Sequence, residues 1–317
     1  MTTERKPWLA ALLTFLLAGL GHLYLGLPRQ ALIAFAVRCV AVAVVVAAVF
    51  WAPQPLNEII IWIGSIGILI ALIIHAWWQA SRVPRPYVLQ RYNKWYLYCL
   101  LVLIAVGVVS PVAKWVLQDK LLEAFRIPSG SMQPTILLGD FLFVDKRRST
   151  HEHIPRGTIV VHLSTEDQGL RVMKRVLGLP GDTIQMTAGA LYIDGRPLDE
   201  DYVQFSPGGS EDDPAMKAKM REWQVASYIG SNSESYAPNL QDWGPLVVPQ
   251  DSFFVLGDNR DHAYDSRYWG FLPADHVVGQ PLVVYWSYDP TVARALPFFT
   301  AVRWSRLGYR LSGGQSP

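Results

Sequence analysis

Cysteine and charge are both scarce in this chain. Its 317 residues include two cysteines, Cys39 and Cys99, each inside an apolar run. Thiols so placed build neither a disulfide framework nor a zinc-ligand spacing. None occurs after residue 119, so that stretch suits either redox compartment. Charged residues make up 17%, against about 25% in an average soluble protein. The deficit lies almost wholly before Asp119, so it marks a region and not the whole chain. The net charge is +2, and no Lys/Arg block is long enough to follow a phosphate backbone. Nucleic acid is therefore not expected as a partner. His151, Glu152 and His153 offer two imidazoles, but a solvated turn accounts for them, and neither a metal nor a cofactor is expected.

Apolar sequence is abundant instead. Four runs fill the first third, roughly Trp8–Leu25, Ala31–Trp51, Ile59–Trp78 and Trp95–Ala113. Each approaches the ~20 residues a helix needs to cross the hydrocarbon of a bilayer. Prolines break them at Pro28, Pro53 and Pro55, and Trp51, Trp77, Trp78, Trp95 and Tyr96 crowd their ends, as an interfacial belt would. "GLGHLYLG" in the first run reads as helix-packing glycines, with His22 near an interface. A basic start also gives that run the look of a signal sequence, though three runs would remain. The loop between the third and fourth runs carries Arg82, Arg85, Arg91 and Lys94, whereas "APQPLNE" carries no Lys or Arg. The positive-inside rule puts the basic loop in the cytoplasm, and the fourth helix then delivers everything after Asp119 to the other side. Parity puts the N-terminus outside, whereas Arg5 and Lys6 favour inside; that conflict stays open.

After residue 119 the texture changes. "DFLFVDK", "GTIVVHL", "ALYIDGRPL", "DSFFVLGD" and "PLVVYWSY" are short, rich in Val, Ile, Phe and Tyr, and separated by turn residues. Asp194-Gly195 is a strong two-residue hairpin signal. The expected architecture is an α-helical membrane anchor of about four spans over 1–118, then a mostly-β domain of antiparallel sheets over 119–317. Residues 199–245 are polar and weakly patterned, an inserted excursion expected to be partly ordered at best, with a short helix at Pro214–Trp223.

Three stretches of the β region carry possible chemistry. In "PSGSMQPT" Ser129 and Ser131 flank Gly130, a poor strand and a poor helix but a good place to expose a hydroxyl. A serine hydroxyl attacks only when a base takes its proton, and none of the seven histidines sits in a recognisable triad. Lys174, in "RVMKRVLGLPGD", would share a strand face with Val172 and Val176. Burial there disfavours the ammonium and lowers its pKa. Taken alone, the local sequence favours a lysine that snorkels beside Arg175. In "GDNRDHAYDSRYWG", Asp258, Arg260, Asp261, Asp265 and Arg267 alternate in sign, which suits a tight loop held by internal ion pairs.

Together, in this order after an apolar helix, these boxes resemble those of bacterial type I signal peptidases, membrane-bound serine proteases with a Ser-Lys dyad. The resemblance covers about Phe125–Asp145, Leu170–Leu198 and Trp243–Tyr288, and "VRWSRLG" near the end is also similar. It does not cover the first three runs. It implies Ser131 as nucleophile and Lys174 as general base. The Ser131 main-chain N–H and the Ser129 hydroxyl would form the oxyanion hole. Phe125, Ile127, Met132, Ile136 and Met173 would line shallow pockets for small P1 and P3 side chains. Asp258 would pair with Arg175, and Asp265 with Arg267, as props. The implied substrates are the signal peptides of exported preproteins, cut at Ala-x-Ala sites. The implied setting is the bacterial inner membrane, as a multi-pass monomer in lipid with its catalytic domain on the extracytoplasmic side. One departure stands out: where the family has a serine that holds the lysine, this chain has Ala263. That departure is the only support, with the extra runs, for the alternative of a non-catalytic relative that binds signal peptides or a partner. A self-cleaving regulator of related fold would want a soluble DNA-binding segment, which four spans argue against.

Overall fold

The computed structural model describes residues 2–3, 5–51, 60, 63–83, 87–109, 111, 121–149, 154–167, 169–205 and 213–311. His151–His153 lies outside them. The chain forms two compact units, Met1–Gln118 and Asp119–Pro317.

The N-terminal unit is helical: α1 (Pro7–Leu16), α2 (Leu20–Tyr24), α3 (Pro28–Trp51), α4 (Ile68–Arg82) and α5 (Trp95–Ile104). The expectation of about four spans is met only in part. Among the described residues, two helices are long and apolar enough to cross a bilayer: Pro28–Phe50, of mean hydropathy 2.7, and Ile63–Arg82, of mean hydropathy 1.7. The first apolar run divides into α1 and α2 because Gly19 takes a φ of 93°, which an L side chain resists. Gly21 seals the turn: a Cβ there would lie 2.0 Å from the Ala10 carbonyl oxygen. At ten residues, α1 is about 15 Å long, half the hydrocarbon thickness of about 30 Å. The fourth run is helical over Trp95–Val108, also too short by itself. Leu32, Val40 and Ile74 leave 60–70% of their surface uncovered, an apolar exterior that suits lipid better than water.

The C-terminal unit is mostly β. Its strands are β1 (Leu122–Arg126), β2 (Asp140–Asp145), β3 (Ile159–Leu163), β4 (Arg171–Gly178), β5 (Thr183–Thr187), β6 (Ala190–Ile193), β7 (Arg196–Pro197), β8 (Trp243–Val247), β9 (Ser252–Leu256), β10 (Leu272–Pro273) and β11 (Val277–Ser287). Seven form one sheet in the order β10-β9-β4-β3-β11-β2-β1, and four form a second in the order β8-β5-β6-β7. Every pairing is antiparallel. The long β11 starts against β3 and shifts to β2, passing Gly279, where a Cβ would meet the Asp145 carbonyl oxygen at 2.6 Å. Asp194 and Gly195 both take positive φ, 50° and 75°, the type I′ geometry that matches strand twist.

Residues 199–245 depart from expectation. The described ones, 199–205 and 213–245, form a helix, a strand and part of the core. Helix α6 runs Pro214–Ser227, four residues past its expected end, and the Asp213 carboxylate caps it by accepting from the Ala215 N–H at 2.9 Å. Met220, Leu240 and Trp243 are buried with Leu177, Leu246 and Phe254, and Trp223 packs against them. A few apolar residues spread through a polar stretch are enough when the sheet gathers them.

Candidate active site

Ser131 sits in the loop between β1 and β2. Ile127 and Asp140 close the loop: the Ile127 N–H donates to Asp140 O at 2.9 Å and the Gly139 N–H to Ile127 O at 3.1 Å. Ile136, fully buried, anchors its middle. The Asp140 carboxylate is buried and accepts from Ser287 Oγ at 2.7 Å, the Leu137 N–H at 2.9 Å and Arg306 Nη2 at 2.6 Å. Arg306 also donates to Thr135 O at 2.9 Å. From the other side, the Asn259 N–H donates to Ser131 O and its Nδ2 to Gly130 O, both at 3.2 Å. Ser131 itself is half-buried and Ser129 exposed. The loop that carries Ser129 and Ser131 is thus held at both flanks.

Lys174 stands in β4, opposite Val160 of β3. Paired residues share a face, and here Val160 and Val176 are fully covered and Lys174 is 2% exposed. Its Nζ lies 3.1 Å from Ser131 Oγ and donates to Met173 O at 3.0 Å. Burial pushes its pKa down to about 8; Asp265 opposes that shift, Arg267 adds to it and Asp258 opposes it. Both carboxylates are committed elsewhere. Asp265 is fully buried and accepts from Arg267 Nε at 2.8 Å and Nη2 at 2.9 Å. Asp258 accepts from Arg175 Nε at 2.8 Å and Nη2 at 2.6 Å, and from Thr135 Oγ1 at 2.6 Å. With the carboxylates neutralised by guanidinium partners, desolvation decides the lysine.

The remaining residues singled out above fall close by. Ser129 Oγ is 3.5 Å from Ser131 Oγ. Ile127, Met132, Ile136 and Met173 are buried in one cluster with Leu142, Val144 and Val161, and Phe125 packs on its edge. Ala263 is buried; a Cβ on Gly257 would lie 2.3 Å from Ala263 Cβ and 2.6 Å from Ser131 O, so both flank that glycine. Gly257 in turn donates its N–H to Asp265 Oδ2 at 3.0 Å.

Sequence reasoning missed several supports. Asp140, Thr135 and Glu200, the last paired with buried Arg260, gave no local signal. Arg306 lies inside "VRWSRLG", so its box was visible though its partner was not. Gln224, fully buried, donates to Arg267 O at 2.9 Å and accepts from Tyr236 OH at 2.5 Å. In this way the 199–245 segment supports the loop of Asp265 and Arg267.

Residues 94–286 match a family model described as signal peptidase, peptidase S26. The match begins at Lys94, so α1 to α4 lie outside it. A signal peptidase I of Leptolyngbya laminosa is 36% identical over 198 residues, covering 60% of this chain and 77% of the relative. A signal peptidase I of Pseudomonas fluorescens is 28% identical over 277 residues, covering 80% and 90%. Among solved structures, a signal peptidase I from Enterococcus faecalis aligns at 30% identity over 41% of this chain and 97% of its own, with a TM-score of 0.27.

Proposed function

The chain belongs to the signal peptidase family, peptidase S26, and we propose that Ser131 and Lys174 are the nucleophile and general base with which it removes signal peptides. The observation that carries this reading is the 3.1 Å contact between Nζ and Oγ on an amine brought down to about 8 by burial. At pH 7.5 roughly a quarter of such amines are neutral, about two hundredfold more than for an exposed lysine.

The neutral amine takes the Ser131 proton as Oγ attacks the scissile carbonyl carbon. The oxyanion accepts from the Ser131 main-chain N–H and the Ser129 hydroxyl, donors aimed where charge develops. The ammonium then gives its proton to the leaving amine, the C–N bond breaks, and the acyl chain stays on Ser131. Water, activated by the same lysine, attacks the ester and restores the serine. No other charged group need move, because Asp258 and Asp265 stay paired with Arg175 and Arg267.

Specificity follows from the cluster beside the nucleophile. Ile127, Met132, Ile136 and Met173 are buried in one cluster against which Phe125 packs, a filled apolar surface that would leave room only for small P1 and P3 side chains. The helical unit anchors the chain as a multi-pass protein of the bacterial inner membrane, its basic 81–94 loop cytoplasmic and its β unit extracytoplasmic, working as a monomer in lipid. The position of Ser131, shortly after an apolar helix in sequence, keeps the site near the surface where a signal peptide's cleavage point emerges.

The test is cleavage of a preprotein with an Ala-x-Ala site by the full chain in detergent. Ser131→Ala and Lys174→Ala each abolish cleavage. Lys174→Arg fails too, since a guanidinium does not lose its proton at working pH. Near-normal turnover by Lys174→Ala removes lysine as the base.

A further inference from the structure

Lys174 shares its face of the sheet with a second buried titratable group. In the β3–β4 ladder His162 pairs with Val172 while Val160 pairs with Lys174. Side chains alternate along a strand and directly opposed residues share a face. His162 and Lys174 are therefore diagonal neighbours on one face, roughly 7–8 Å apart at the backbone, within reach of long side chains. His162 is 1% exposed and its ring lies against Trp269, 5.7 Å between centroids.

The tautomer of this ring is set by its neighbour. Nδ1 lies 2.8 Å from Leu163 O, and a carbonyl only accepts, so Nδ1 carries the proton and Nε2 the lone pair. That Nε2 is buried and has no hydrogen-bond partner among the described residues, an uncommon state for a buried acceptor. Burial pushes the His162 pKa down to about 4; the Leu163 carbonyl opposes this, and Lys174 and His276 add to it. The ring is neutral wherever Lys174 works.

The amine has the complementary gap. A neutral lysine carries two N–H groups and one lone pair. For the amine to act as base its lone pair must face Ser131 Oγ, 3.1 Å away, while one N–H reaches Met173 O. Ala263, which flanks Gly257 together with Ser131 O, has no side-chain acceptor to offer the other. We propose that His162 is a positioning residue for the base: its Nε2 accepts the second N–H of Lys174 across one water and so aims the lysine lone pair at Ser131. This rests on Lys174 being the base. Among the described residues, the charged groups that act on the amine are Asp265, Arg267 and Asp258, the carboxylates paired as described, and His276 acts on the His162 ring, so replacing neutral His162 alters the amine's surroundings without altering net charge.

The experiment measures kcat/KM on one Ala-x-Ala preprotein from pH 6 to 10, with the full chain in detergent. The variants are His162→Phe, His162→Gln, Ala263→Ser and the double variant His162→Phe/Ala263→Ser. Loss of one neutral hydrogen bond lowers His162→Phe about three- to tenfold. Its acid limb moves to lower pH, because the ammonium loses an acceptor that favours it. His162→Gln, which keeps an acceptor near Nε2, retains most of the activity and covers the case where the phenylalanine disturbs the fold. Ala263→Ser gains at most about twofold alone but restores most of the loss in His162→Phe, since the hydroxyl supplies the missing acceptor. An unmoved acid limb, with equal effects of Ala263→Ser in both backgrounds, overturns the assignment. Cleavage by Lys174→Ala would instead overturn the dyad, and this inference with it.

Discussion

Replacing Lys174 by methionine measures how strongly the fold disfavours the ammonium. The side chain is 2% exposed and its pKa is pushed down from 10.5 to about 8, by burial first. That difference corresponds to roughly 3 kcal/mol against the charged form. The folded state binds its proton more weakly than the unfolded state does. Below about pH 8 the unfolded lysine is charged and the folded one must be charged or release its proton, so the full penalty applies. It fades as pH rises from about 8 to 10.5, where both states are neutral. Methionine has no proton to bind and nearly the same length. Its substitution forfeits the hydrogen bonds to Ser131 and Met173 O, each worth about 1 kcal/mol. The expected net gain at pH 7 is therefore about 1–2 kcal/mol, with cleavage abolished. The sharper quantity is the pH dependence: the advantage of Lys174→Met falls by about 2–3 kcal/mol between pH 7 and pH 10. Thermal unfolding of both full chains in the same detergent reads this, at about 2–4 °C per kcal/mol. An advantage that is the same at both pH values would show that the folded site tolerates the ammonium, and the argument for a lysine base would fail.

Other perturbations act on separate parts of the site. With Lys174 as the base, kcat/KM of the wild type is expected to rise with pH and level off above about 8; a profile flat from pH 6 to 9 would contradict this. Asp258→Asn strands the buried Arg175 guanidinium, whose partner carboxylate is 1% exposed, and is expected to cost about 3–5 kcal/mol in thermal unfolding. An unchanged melting temperature would mean that Thr135 Oγ1 and Gly157 O suffice for the guanidinium. Changing substrate P1 from Ala to Leu lowers kcat/KM about tenfold or more, by overpacking against the Ile127 and Met132 cluster. Equal cleavage of the two would remove the pocket assignment. A reporter active only outside the cytoplasm is active when fused after Asp145 and silent when fused at Gln90; the reverse pattern would put the β unit in the cytoplasm.

Local pattern was sufficient for some features and blind to others. The alternation of β-branched and aromatic residues after Asp119 announced strands, and Asp194-Gly195 announced its hairpin, because both depend on residues within a few positions of each other. The boxes around Ser131, Lys174 and Asp258 were legible as motifs through their resemblance to a family. The number of long apolar helices was not legible. Hydropathy reads Trp8–Leu25 as one run, while Gly19 and Gly21 fold it back through backbone geometry that hydropathy ignores. The 199–245 segment misled in the opposite sense, since its average polarity hides Met220, Trp223, Leu240 and Trp243, which the sheet collects into one core.

The same division runs through the site. Sequence determined which groups are present: two serines around a glycine, a lysine between valines, alternating acids and arginines, and an alanine at position 263. Read alone, the lysine's neighbours favoured a snorkelling side chain over a buried base. Tertiary structure buries that side chain to 2% exposure, which no short window of sequence reveals. It also brought Nζ to Ser131 over a sequence separation of 43, locked Asp140 to Arg306 over one of 166, and set His162 on the lysine's face of the sheet through strand register. None of these is a property of a short window, since each depends on which strands pair and in which register.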